Sequence, residues 1–449
     1  MKKYDTNEIF KVEDGDFVIK KISIVLIILL ITYTGLFTLI SNEVNVNNNP
    51  MENTVEKEKL TIWGWDEGIV DAFEEFSRDR ANVEIEFVYV AHSNFVDTLQ
   101  AAMVTSTDLP DICILDEDHI KTLIQTDVWA NLEEKPFNLD KDDLLPMSLP
   151  MVTNGRGEVV GIPHEVGFSG VAYRKSLMKK IIGSDKKEDV KLEFGDWKDV
   201  IEKGKQIKAS YDGEFYMFAS PSDVGVILIN QTNDSYIVDS TLVTPEKYLE
   251  YFRILTTLRD ENLIDESQLW APEWYNSFKK ESYLFYPWSI WMQRYGAFDI
   301  DGKKDWAVGD APGGNYYSGV TAWSILKSSD NKELAWEFME YFLMSYEGAE
   351  YNKHNGKQVL INYKPAYEVD GYCDLYHDSF QNQNLGKLCV EYLSKDMFHR
   401  QFSEFDMEVN NAFFETLEAI NRDKNLTAEG ALDFFITKLK ESSPEIKIN

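Results

Sequence analysis

From Lys59 onward the chain alternates short apolar runs of two periods, and that alternation constrains the fold more than any other feature. KLTIWGW at 59–65 reads as a strand. Ile69, Phe73 and Phe76 then fall on one face of a helix reaching Arg80, and VEIEFVYV at 83–90 puts Val83, Ile85, Phe87 and Tyr89 on one strand face. Ser93 offers a helix cap before Phe95, Leu99 and Met103, and Pro110 introduces the buried strand DICIL. Strand, helix, strand, helix, strand predicts an α/β domain with a mostly parallel sheet, whose ligands bind beyond the carboxyl ends of the strands. Those ends are Trp63 to Asp66, Ala91 to Ser93 and Asp116 to Asp118. Farther on, Thr244 as cap with Pro245 in the first turn opens a long helix, and others are expected near 332–346, 402–421 and 427–440.

A second segment decides where such a domain works. Ile22 to Ile40 runs 19 residues without a charge, about 28 Å as a helix and enough to cross a bilayer. Lys20 and Lys21 abut its start while the next lysines are Lys57 and Lys59, so the positive-inside rule puts 1–21 in the cytoplasm and the rest outside. A cleaved signal peptide is the rival. The long polar stretch before the run, the run's length and the lack of a small-residue cleavage site near Ser41 favour an uncleaved anchor. Residues 41–58, rich in Asn, read as a solvated tether. With 45 Lys plus Arg against 77 Asp plus Glu, the net charge is 45 − 77 = −32, and residues 1–40 hold five of each sign, so all of it falls on the exported part. Nucleic-acid binding by counterion release is thereby disfavoured.

The common catalytic motifs are missing. There is no H-E-x-x-H, phosphate loop or dinucleotide glycine fingerprint, and Gly167-Phe168-Ser169-Gly170 lacks a spacer of the nucleophile elbow. Asp116, Glu117 and Asp118 suit a hard cation, but an acidic run at a strand end is commonly a cap or solvated loop, and the six histidines show no ligand spacing, so neither metal nor cofactor is expected. Cys113 lies in an apolar strand; Cys373 and Cys389 are able to pair, with nothing in their spacing requiring it. Trp270 to Trp323 holds six of the eleven tryptophans. Several of these rings stand beside Pro or Gly, as in WAPEWYN, Pro287-Trp288 and Gly313-Gly314 before Tyr316, a setting suited either to a core or to a cleft where rings stack on sugar faces.

Five segments in order carry a family resemblance. KLTIWGWDEGIVDAFEEFSRD with VEIEFVYV, LPDICILDEDHIKTLIQTDVWANLEE, GEVVGIPHEVGFSGVAYRKSLMKK with FGDWKDVIEKGKQI, WAVGDAPGGNYYSGVTAWSILKSSDNKELAWEFMEYFL, and TAEGALDFF resemble the extracellular solute-binding proteins of bacterial ABC importers, in their carbohydrate-binding (family 1 type) group. The resemblance covers nearly all of 59–440 and implies a two-lobed, periplasmic-binding-protein-like α/β fold with a hinge, preceded here by one N-terminal transmembrane helix. It implies a first lobe of 59–165 plus about 315–365, and a second, helix-rich lobe of 166–314 plus about 366–449.

Carried over position by position, the resemblance places Trp65, Asp66, Asp116 and Glu117 on the first lobe's side of the cleft, with Glu165 at the crossover. Trp288, Trp291 and Arg294 come from the second lobe, and Gly319 and Trp323 from the returning segment. Rings would stack, while carboxylates and Arg294 would hydrogen-bond hydroxyls. The implied function is capture of a sugar or oligosaccharide for ABC-transporter permease subunits, by a monomer on the outer face of the membrane and without catalysis. A ligand sensor for a partner kinase and a surface glycosidase are the alternatives. The lipid-bearing cysteine usual in single-membrane relatives has no counterpart, since no cysteine precedes Cys113.

Overall fold

The computed structural model describes residues 57–78, 80–105, 108–355, 358–393, 398 and 402–448. The expected membrane segment at 22–40 lies outside the described residues, as does the expected tether except for its last two positions, of which Glu58 already belongs to the first strand. Among those described, no helix is long and apolar enough to cross a membrane.

The first sheet follows the alternation. β1 (Glu58–Gly64), β2 (Val83–Tyr89) and β3 (Ile112–Leu115) pair in parallel in the order β2-β1-β3, and all four residues of β3 are buried, as a central strand requires. Between them run α1 (Val70–Ser77) and α2 (Phe95–Thr105), with α3 (Glu117–Leu123) after β3. α1 buries Ala72, Phe73 and Phe76, whose spacing forms one helical face. Ser93 does not cap α2. It lies in a 3-10 turn, His92–Asn94, that precedes the helix, and its hydroxyl bonds Asn94.

β4 (Ile162–Pro163) closes this sheet, and the chain passes to β5 (Phe168–Arg174), the spine of a second sheet. Beside it come α4 (Trp197–Ser210), β6 (Tyr216–Phe218), α5 (Pro221–Asn230), α6 (Pro245–Asp260), β7 (Tyr283–Ser289), β8 (Trp306–Gly309) and β9 (Tyr316–Tyr317). The order is β8-β5-β7-β6, with β9 also on β5. Pro245 opens α6 as expected, but Thr244 has φ +49° and its side chain makes no cap bond. Then β10 (Ala322–Ile325) returns to the first sheet antiparallel between β3 and β4, and α7 (Lys332–Leu343) packs on it, setting Phe338 5.0 Å from Phe76 and Phe342 5.2 Å from Trp323. The last helices, α8 (Asp406–Arg422) and α9 (Ala428–Ser442), lie over α5 and α6, where Phe413 stacks on Phe252 at 5.6 Å and Phe435 on Tyr248 at 4.7 Å.

The two sheets are the cores of two α/β lobes, and three strings of residues pass between them. Their backbones bond one another: His164 N–H to Thr321, Ser318 N–H to Gly167, Val166 N–H to Leu360 and Asn362 N–H to His164, at 2.8–3.1 Å. A Cβ on Gly167 would stand 2.6 Å from Val320 and 2.9 Å from the Ser318 carbonyl, so only glycine permits this approach. Cys113, Cys373 and Cys389 are all free thiols.

Candidate functional site

A cavity of about 320 Å³ opens where the strand ends of the first sheet face α5, α8 and the tryptophan-rich stretch, at the lower end of the range for small-molecule sites. Trp65 after β1, and Asp116 and Glu117 after β3, form its first wall. Glu165, Ser318, Gly319 and Thr321 on the crossing segments form its floor. Opposite stand Trp270, Trp291 and Tyr295, with Ile229 and Asn230 from α5 and Asn410 and Phe414 from α8.

The rings of this third wall contact one another. Trp270 lies 6.0 Å from Trp291 and 6.2 Å from Tyr295, and Trp291 meets Tyr295 edge-on at 5.8 Å. Trp270 is 41% exposed and sits at φ +66°, so a strained backbone holds a large ring toward solvent. The indole N–H of Trp291 reaches the Ser318 carbonyl at 3.4 Å. Beneath it Gly319 has φ +76°, and a Cβ there would fall 2.2 Å from the indole nitrogen. Glycine thus seats the ring.

The carboxylates hold the floor. Glu117 accepts the Gly319 N–H at 2.5 Å and the Ser318 hydroxyl at 3.4 Å, joining the first lobe to a crossing segment. Glu165, fully buried, accepts from Thr321 Oγ1 at 2.9 Å. Asp116 caps α3 by accepting the His119 N–H at 2.9 Å, and its second oxygen pairs with His92 Nε2. Burial alone would raise the Asp116 pKa, but His92 and His119 hold it below the ordinary value. The bond to Asp116 raises His92, whereas burial lowers His119.

Of the residues expected at the cleft, Trp65, Asp116, Glu117, Glu165, Trp291 and Gly319 meet around the cavity. Trp288 and Trp323 do not, and both are corrections. Pro287-Trp288 suggested irregular backbone, but Tyr283–Ser289 is a strand buried at all seven positions, with Trp288 5.6 Å from Phe168. β6 pairs with it only as far as Phe285, so Pro287 lies beyond its neighbour's end. Trp323, on β10, is likewise fully buried, against Phe342 and 5.9 Å from His164. Asp66 stands outside the cavity wall and caps its own turn, accepting the Gly68 N–H at 2.9 Å. The side chain of Arg294 lies outside the described residues.

Trp270 was noted in the Pro-interrupted WAPEWYN but not placed among the expected site residues, and that setting does not separate it from Trp274, which is fully buried. Asn230, Asn410 and Phe414 gave no signal, because each is one residue on a helix whose packing decides which way it faces. Ser169, in the near miss to a nucleophile elbow, is buried with its hydroxyl 2.5 Å from that of Ser289.

Residues 68–373 match the family described as bacterial extracellular solute-binding protein. No curated protein sequence matches the chain. Among solved structures, an extracellular solute-binding protein of family 1 aligns with TM-score 0.76 and 19% identity, covering 86% of this chain and 99% of that one. The ABC-transporter-associated binding protein from B. animalis subsp. lactis Bl-04, in complex with β-1,6-galactobiose, aligns at 0.65 and 17%, covering 88% and 100%. The galacto-N-biose/lacto-N-biose I-binding protein from Bifidobacterium longum, in complex with lacto-N-biose, aligns at 0.67 and 14%, covering 89% and 100%. At these identities the likeness shows a shared fold, while the family match spans well over half the sequence. The chain belongs to the bacterial extracellular solute-binding protein family.

Proposed function

We propose that the cavity binds a neutral sugar or oligosaccharide, which the protein delivers to the permease of an ABC importer. The observation that carries this is the pairing of Trp65, Trp270, Trp291 and Tyr295 with amides and carboxylates around one cavity between two lobes. Flat rings cover the apolar C–H faces of a pyranose, and oxygens and amides satisfy its hydroxyls; the amides of Asn230 and Asn410 can both donate and accept. The two Bifidobacterium structures hold disaccharides, in keeping with this ligand class. A binding protein rather than an enzyme, it acts as a monomer, releasing its ligand by hinge opening along the crossing segments.

The apolar run at 22–40 keeps it at the outer face of the membrane, in place of a lipid. Residues 41–57 give it reach toward the permease. A thermal-shift screen of the full chain in detergent against mono- and oligosaccharides tests the reading, because a ligand at 100 times its dissociation constant stabilises by about 2.7 kcal/mol. At least one saccharide raises the melting temperature on this account. A panel that leaves it flat while polyamines or sugar phosphates raise it would replace the ligand class.

A further inference from the structure

Beside the cavity, the ends of β2 and β3 bring together a donor set that no sequence spacing displayed. His92 from the turn after β2, Asp116 from the end of β3 and His119 from the first turn of α3 place one donor atom each within 4.8 Å of the others. His119 is 2% exposed. Its Nε2 lies 2.9 Å from the carbonyl of His92, and a carbonyl only accepts, so Nε2 carries the proton. The lone pair of the neutral ring is then on Nδ1.

No hydrogen bond is directed at that Nδ1. Asp116 Oδ1, 3.2 Å away, already accepts the His119 backbone N–H. Two acceptors facing each other at this distance in a buried setting repel unless a cation stands between or beside them. A ligating imidazole whose other nitrogen donates to a backbone carbonyl is also the arrangement that orients histidines on metals. Phe95 stacks on the His119 ring at 4.7 Å and fixes its plane. On the cavity side Trp65 lies edge-on to both imidazoles, at 5.8 and 5.4 Å. The His92 side chain is 47% exposed and that of Asp116 20%, which leaves an entry path.

We propose that His92, Asp116 and His119 form a binding site for a divalent transition metal of the zinc class, with a coordination position left open beside the solute cavity. Two imidazoles and one carboxylate favour zinc, cobalt or nickel over calcium or magnesium, which prefer all-oxygen shells. The proposal is independent of which solute the cleft holds.

The test is equilibrium dialysis of the chelator-treated full chain in detergent against Zn²⁺ alone, with no sugar present. One equivalent binds saturably, and His92→Ala, a change at a half-exposed side chain that leaves the buried His119 in place, weakens it by more than about tenfold. Asp116→Asn weakens it similarly. His354→Ala, at a surface histidine whose side chain is 62% exposed, leaves it unchanged. Absence of saturable uptake, or uptake that His92→Ala and Asp116→Asn leave intact, or that His354→Ala reduces as much, overturns the proposal.

Discussion

Asp223 is wholly buried in the first turn of α5, and the indole N–H of Trp274 donates to one of its oxygens at 2.8 Å. Burial pushes its pKa up to about 8. The folded value therefore stands above the unfolded one, near 4, and between the two the native state holds a proton that the unfolded chain has lost. Stability falls as pH rises through that window, by up to about 1.4 kcal/mol per pH unit from this group, and levels off above it. Asp223→Asn keeps an acceptor for Trp274 and removes the titration. Melting profiles of the two proteins from pH 5 to pH 8 are expected to diverge, the parent losing stability relative to the variant; parallel profiles would contradict the assignment. At the same scale the tryptophans show what a sequence carries. Their concentration was visible, but Trp274, Trp288, Trp306 and Trp323 are fully buried while Trp270 and Trp291 border the cavity. A ring's exposure is decided by its neighbours in space, and adjacency to Pro or Gly does not report it.

Helix ends and strands were legible where the signal is local. Asp196, not singled out beforehand, caps α4 by accepting the Asp199 N–H at 2.8 Å, just after the glycine of FGDWKDV, where a local signal was available. Because this cap is exposed and serves one helix, Asp196→Ala is expected to cost about 1 kcal/mol, read as a lower denaturant midpoint with unchanged slope. An unchanged midpoint would mean that water replaces the carboxylate. Thr244 shows the limit: Thr-Pro is a strong start signal, yet its backbone is left-handed and its side chain makes no cap bond. Strands β5 and β7 were missed for another reason. Both are buried at every position, so neither shows the alternation that marks a half-buried strand. The alternation of β1 to β3 with α1 and α2 was readable from period alone, and those strand ends supply Trp65, His92 and Asp116.

For the whole molecule, the crossing segments are what a local pattern is least able to reveal. Glu117 to Gly319, Glu165 to Thr321 and Asn362 to the Glu165 carbonyl join residues about 150–200 positions apart in the chain, and only the five-segment resemblance pointed there. The charge of −32 disfavoured one partner class and left the ligand open. The histidine cluster, split between positions 92 and 116–119, became visible only when β2 and β3, on either side of β1, ended at the same edge of the sheet.

The proposed sugar site is the ring-walled cavity between the lobes. The decisive measurement is calorimetric titration of a saccharide that stabilises the parent protein into folded Trp291→Ala. Loss of one stacking ring, worth about 1.4 kcal/mol, should weaken binding about tenfold. Unchanged affinity in the folded variant would contradict the claim.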